Sequence, residues 1–233
     1  MTPLYLHGLP GSAAELMLGC VQMQVFDRSA PSFAQLALRL PDGPVHLVGF
    51  SLGAACALRL AALAPDKVKR VTLISAAAPL ELGDFLPHMA GAAVFRAARS
   101  HDRLAALTRV QSVLARMSPG LFARLLINGA DPADRSLFRD PAQMAVLKRS
   151  LAEGLGDNRD AYLRELAAYV RPWAGHLPRV AAPVTLVHGT ADRWAPFAMA
   201  EALAQALPDA TLRPASGRGH YTTLVDALSR FSA

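Results

Sequence analysis

Residues 44–65 read PVHLVGFSLGAACALRLAALAP, and the stretch divides at Ser51. Pro44–Gly49 is a short apolar run behind the Asp42-Gly43 turn, the signature of a buried strand. After Ser51 the chain is apolar nearly all round, with Arg59 the only charge before Asp66. A surface helix carries a polar stripe, so this one is expected to pack centrally, buried on most sides. Pro65 stops it. Between strand and helix lies GFSLG, Gly49 to Gly53. Such a pentapeptide alone is weak, since roughly one random chain of this length in twelve contains it at ordinary Gly and Ser usage. A strand before it and a buried helix after it supply the context of a nucleophile elbow. A serine on that sharp turn takes a strained backbone, and glycines two positions to either side relieve the crowding. The alternative is a small-residue bend that happens to contain serine.

Outward from this stretch, short apolar runs alternate with helical patterns. Strands are expected at Pro3–His7, Val21–Asp27, Val68–Ser75, Ala182–Gly189 and Ala210–Ala215. Ser12-Ala-Ala-Glu15 reads as a capping box that opens a helix. Pro31 suits the first turn of a helix reaching Leu40, and Pro196 that of a helix reaching Leu207. A last helix carries YTTLVDALSRF. From Leu80 to Trp173 the patterns are helical, without strands. Alternating βα units predict an α/β class, a three-layer α/β/α sandwich with a mostly parallel sheet of about six strands. The domain organisation follows as a core over 1–79 and 174–233, with a helical lid inserted over 80–173.

A serine hydroxyl needs a base to become a nucleophile. Downstream, TLVHGTADRWAP places Asp192 just beyond a strand, and SGRGHYTTL places His220 in the loop after the last strand. In the order Ser51, Asp192, His220, the histidine would take the serine proton and the aspartate would hold the imidazole tautomer. The Leu52 N–H follows the nucleophile directly. In LHGLPGS, Pro10 has no N–H, so Leu9 is the expected second oxyanion donor. Asp192 could otherwise be a helix-start acid before Pro196. His7 and His188 read as structural groups or supports behind the reacting residues, and His46 as a strand residue. His88, His101 and His176 have no visible partner. Trp173 and Trp194 are candidates for a pocket mouth or for core packing, and Met17 and Met23 for core.

In order along the chain, HGLPGS, VHLVGFSLG, PVTLVHGTADRWAP and GRGH resemble the α/β-hydrolase superfamily, over nearly all of the chain outside the insertion. The pattern is similar to its small esterase and C–C-bond-hydrolase branch, whose helical lid enters after the strand that follows the elbow helix. The resemblance implies the fold, the triad, and ester or thioester hydrolysis through an acyl-enzyme without a cofactor, and makes Asp84, otherwise a lid-surface carboxylate, the reserve acid, since some relatives place the acid there. It also keeps open a C–C-bond hydrolase, a perhydrolase, an acyltransferase, or a member that holds a ligand without turnover. An Asp-nucleophile dehalogenase or epoxide hydrolase is disfavoured by Ser51. The chain departs from the family in lacking an opening antiparallel hairpin, and FDRSAPSF lacks the usual glycine-rich pattern.

Composition bounds the remaining classes. With 52% hydrophobic and 18% charged residues, the 233-residue chain is a folded one. Mean hydropathy is +0.25, yet no run of about 18 apolar residues predicts a membrane span, and no secretory leader is recognisable. Two cysteines, Cys20 and Cys56, read as buried, reduced thiols, and a cytoplasmic location is expected. No Cys/His spacing suggests a metal. The net charge of +6 raises nucleic acid as a partner. The arginines are dispersed, however, and Arg96, Arg99 and Arg103 read as the solvated face of one helix, so no nucleic acid is expected. The expected partner is a small acyl substrate, with monomer and homodimer both open.

Overall fold

The strand and helix around Ser51 form as expected and lie at the centre of the molecule. The computed structural model describes residues 1–231. Its strands are β1 (Thr2–Leu6), β2 (Gln24–Val25), β3 (Val45–Phe50), β4 (Val68–Ile74), β5 (Val184–Gly189) and β6 (Ala210–Ala215). They form one sheet in the order β2-β1-β3-β4-β5-β6, and every neighbouring pair is parallel. Parallel strands covered on both faces need apolar residues throughout. Accordingly β3 and β5 are almost wholly buried. β6, paired only to β5, has no buried residue and alternates half-buried with exposed positions toward its start.

Helix α1 (Phe33–Leu38) and helix α2 (Leu52–Leu63) connect strands stepping one way across the sheet, whereas Ala13–Gly19, a 3₁₀ helix, connects β1 to β2 stepping the other way. Right-handed crossovers therefore set α1 and α2 on one face and the 3₁₀ helix on the other. All of α2 except Leu63 is buried. Its one charge, Arg59, is 4% exposed. The Arg59 guanidinium lies 4.6 Å from the Phe33 ring centroid and 4.2 Å from that of Trp173, and donates to the Ala55 and Ala168 carbonyls. The stacked rings and carbonyls take the place of water around the cation.

Between β4 and β5 run six α-helices: α3 (Ala92–Ala97), α4 (His101–Met117), α5 (Pro119–Asn128), α6 (Pro132–Leu137), α7 (Pro141–Leu155) and α8 (Arg159–Tyr169). The chain returns to the sheet through β5, α9 (Phe197–Ala206), β6 and α10 (His220–Leu228), which packs on the Ala13–Gly19 helix and β5.

Several local expectations need correction. β2 keeps only two of the seven expected residues, because an edge strand is held from one side alone; Phe26 N–H still reaches the Tyr5 carbonyl at 2.9 Å. Ser12 caps its helix by accepting from Ala14 N–H. The reciprocal half of the box is missing: Ser12 N–H goes to Ser150 Oγ, and Glu15 turns elsewhere. Pro31 and Pro196 precede their helices instead of occupying the first turn. Met17 is 51% exposed, and Cys20 is exposed while Cys56 is buried. Arg96 and Arg103 are both exposed but sit on α3 and α4, separated by the break at Ser100.

The elbow depends on a close approach at Gly53. A Cβ there would be driven into the Leu6 carbonyl oxygen and would stand 2.5 Å from that of His7. Backbone at the end of β1 cannot yield as a side chain would. Gly53→Ala is expected to cost about 2–3 kcal/mol or more, lowering Tm by roughly 5–10 °C. Thermal unfolding measures it, and an unchanged Tm would refute the contact.

Candidate active site

Three segments converge at the carboxyl ends of β1, β3 and β5. The order of connections reverses between β1 and β3, and open α/β sheets bind ligands at such a point. Ser51 follows β3 with φ 55° and ψ −122°, in a region that L-residues rarely adopt. Its N–H donates to the Ile74 carbonyl at 3.0 Å, and its own carbonyl accepts from Ala77 at 3.2 Å. A Cβ on Gly49 would meet Ala54 Cα at 2.7 Å, so both glycines of the motif are required by space. Ser51 occupies the cap position of α2 but makes no side-chain cap bond.

Asp192 lies just past β5 and His220 opens α10. The structure brings them together: His220 Nδ1 donates to Asp192 Oδ2 at 2.7 Å, both side chains being buried. The other oxygen of Asp192 accepts from the N–H groups of Trp194 and Ala195 at 2.8 and 2.9 Å. Burial pushes the Asp192 carboxyl up, but the charge and hydrogen bond of His220, then His188 and Ala195 N–H, outweigh it and leave it below the usual carboxylate range. Burial pushes the His220 ring down, and Asp192 first, then Asp134 and Glu15, outweigh that and raise it above 6.5. Buried His188 stands 3.6 Å from Asp192 Oδ2 and gives its Nε2–H to the Ala195 carbonyl at 2.7 Å. Burial lowers its pKa, so it supports Asp192 as a neutral ring. Asp84 is exposed, and the carboxylate that pairs with His220 is that of Asp192.

Ser51 and His220 line one cavity, together with Gly8, Leu9, Pro10 and Leu52. Leu52 N–H is the first of α2, without an intrahelical acceptor in reach. On the facing loop, Gly8 N–H is already engaged by Glu15 Oε2 at 2.9 Å. Glu15 also accepts from the Tyr5 hydroxyl at 3.0 Å. Burial lifts its carboxyl, and the Gly8 and Tyr5 donors, Arg28 and His220 only partly offset this, leaving it at about 7. His7 is buried beside Arg28, whose Nη2 donates to the His7 carbonyl at 3.1 Å and whose Nη1 pairs with Glu165 of α8 at 2.8 Å. Burial and the Arg28 charge push His7 down to about 3, so it too is a neutral support. The FDRSAPSF loop thus braces the Leu9 loop through Arg28.

Apolar side chains make the rest of the wall. Met89, Phe95 and Leu126 come from the segment between β4 and β5, and Trp194 from the loop after β5. Trp173 does not reach the cavity; it stacks on Arg59. The cavity holds about 60 Å³, room for about two waters. Glu15, Ser75 and Asp134 are neighbours of the site that sequence reasoning missed. For Glu15 the capping-box spacing pointed to the wrong partner. For Ser75, whose hydroxyl donates to the His220 carbonyl at 3.0 Å across 145 residues, no local signal exists.

The family model for the alpha/beta hydrolase fold matches residues 25–227. The chain belongs to the α/β-hydrolase family. This α/β-hydrolase is 34% identical over 192 residues to a pimeloyl-(acyl-carrier protein) methyl ester esterase of Aromatoleum aromaticum, covering 78% of the chain and 68% of that protein. It is 30% identical over 231 residues to a magnesium-chelatase 30 kDa subunit of Rhodobacter capsulatus, covering 96% of the chain and 72% of that protein. A thermophilic esterase from Thermogutta terrifontis superposes with a TM-score of 0.68 at 18% identity, over 100% of this chain and 88% of that one, and so shares the fold. None of the described helices in this α/β-hydrolase is long and apolar enough to cross a membrane.

Proposed function

We propose that this α/β-hydrolase is a serine hydrolase cleaving carboxylic ester, thioester or related acyl bonds of small to medium substrates through an acyl-enzyme. The observation that carries the reading is that His220, paired with buried Asp192 at 2.7 Å, lines one cavity with a strained serine. Ser51 Oγ attacks the acyl carbonyl while His220 takes its proton. The oxyanion so formed accepts from the Leu9 and Leu52 N–H groups. On collapse, His220 passes the proton to the leaving alcohol or thiol, and Ser51 holds the acyl group. Water then attacks, giving its proton to His220, and the acid leaves with Ser51 restored. Asp192 keeps the Nδ1 proton in place and stabilises the imidazolium.

In the same reading, residues 80–173 serve as the lid over a core of 1–79 and 174–233. About 60 Å³ is far below the usual ligand pocket of roughly 300–1,000 Å³, so an acyl chain enters only as Met89, Phe95 and Leu126 draw back. Their chemistry favours apolar acyl groups. One observation favours a second reading, a member that holds a ligand without turnover: the relative matching 96% of the chain is named as a magnesium-chelatase subunit.

A fluorophosphonate probe and a chain-length series of esters and thioesters test both. Stoichiometric labelling at Ser51 with turnover is expected. The base must be neutral, and its pKa is raised, so activity rises with pH through a midpoint above 6.5. Glu15, at about 7, titrates nearby, and Glu15→Gln separates its step from that of His220. Labelling without turnover on any acyl substrate would favour the ligand-holding reading, and no labelling would refute the activated serine.

A further inference from the structure

Helix α10 begins at His220, and its cap residue, Gly219, has no side chain to offer. The first N–H groups of any helix need acceptors from outside it. Thr222 supplies one locally, its Oγ1 accepting from Gly219 N–H at 2.7 Å. The next three are met by a residue far upstream. Buried Asp134, on α6, accepts with Oδ2 from the N–H groups of His220 and Tyr221 at 2.9 and 3.0 Å. Its Oδ1 accepts from the Thr222 N–H and hydroxyl at 2.8 and 3.0 Å. Four donors fill the four lone-pair sites of one carboxylate. Asp131, which caps α6 itself through the N–H groups of Ala133 and Asp134, presses its other oxygen against Gly219, where any Cβ would collide with it. Glycine at 219 is therefore the residue that lets α6 seat on α10.

The consequence falls on His220. Its N–H is held by Asp134, its carbonyl by Ser75 and its ring by Asp192. A cap needed for helix stability alone could be a Ser, Thr or Asp at 219. Here it comes instead from the helical segment that also sends Met89, Phe95 and Leu126 into the cavity. Taking His220 as the base, as the reading above does, we propose that Asp134 is a positioning residue that aims His220 at Ser51, so that the base is set only when the segment between β4 and β5 is seated. The charged and titratable groups facing His220 are Asp192, Glu15 and Asp134, with Tyr221 alongside, His188 behind Asp192 and Asp131 behind Asp134. Burial raises the Asp134 carboxyl, and Asp131 adds to this, while the N–H groups of Tyr221 and Thr222 oppose it. Ionised, Asp134 also favours the imidazolium of His220.

The test compares wild type, Asp134→Asn and Thr222→Val by kcat and KM on a short p-nitrophenyl ester, by fluorophosphonate labelling rate and by pH profile, with circular dichroism and Tm as controls. Asparagine keeps one acceptor oxygen and turns two N–H donors toward backbone donors. Folded Asp134→Asn is expected to label and turn over about ten- to a hundredfold more slowly, with KM within about twofold and the pH midpoint moved down. Thr222→Val, which changes no charge, is expected to slow severalfold with the midpoint in place. Wild-type rates in folded Asp134→Asn would overturn the proposal. So would slowing that tracks Tm in both variants without a pH shift, since that is a structural role. Should Asp134→Asn fail to fold, Thr222→Val decides, and an unchanged rate overturns. Failure of the serine-hydrolase reading shows separately, as a wild-type protein that the probe does not label, and the proposal falls with it.

Discussion

Ser51→Ala abolishes ester turnover, with kcat expected to fall about 10⁶-fold, the scale of removing the nucleophile from a Ser-His-Asp site. Stability should barely change. Ser51 sits at the cap position of α2 yet makes no side-chain cap bond, and its backbone contacts to Ile74 and Ala77 use N–H and carbonyl alone. Alanine meets the same strain at φ 55° that serine already bears. The hydroxyl thus makes no cap bond in the fold, as expected of the proposed nucleophile. A structural bend would behave in reverse, losing stability and no activity. Turnover of p-nitrophenyl butyrate and thermal unfolding, measured together, separate the two. A folded Ser51→Ala protein with wild-type kcat would end the assignment.

Asp192→Asn is expected to lower kcat about 10⁴-fold while leaving the fold nearly intact. The geometry gives the reason. Oδ1 accepts from Trp194 and Ala195 N–H groups, and the asparagine carbonyl can keep both bonds. The amide NH₂ then faces His220 Nδ1, where Oδ2 stood at 2.7 Å. Two donors cannot pair, so Nδ1 must become an acceptor and the ring proton moves to Nε2. That tautomer has no lone pair left to take the Ser51 proton. Raising the pH does not repair it, because the ring is already neutral and wrongly protonated. The loss should therefore persist across the whole pH profile. A variant that kept near wild-type kcat and only moved its pH midpoint down would show that Asp192 acts through its charge alone.

The strands, the elbow and the pairing of Asp192 with His220 were legible because each is announced by neighbours in the chain. Apolar runs mark the strands, glycines flank Ser51, and both Asp192 and His220 stand where loops follow strands. Asp134 was not legible. It lies in a helical segment without readable motif, 86 residues from the N–H it accepts, and nothing around it distinguishes it from a surface carboxylate. Glu15 was read as half of a local box because its spacing from Ser12 fits one. The Ser12 N–H was claimed by Ser150 of α7, which freed Glu15 to take Gly8. Trp173 had equal claims to pocket and core until Arg59 stacked on it.

By itself, the amino-acid sequence determined the α/β class, the place of Ser51 on a strained turn, and which two later residues could serve it. Those features depend on periodicity, on glycine's missing Cβ and on chain order, all of them local or sequential properties. Only the tertiary structure decided how His220 is held, which N–H groups of the Gly8–Leu9 loop are free, and how small the cavity is. Hydrogen-bond acceptors for a helix end can come from any element that packs against it, and the residue that wins is set by packing rather than by distance along the chain.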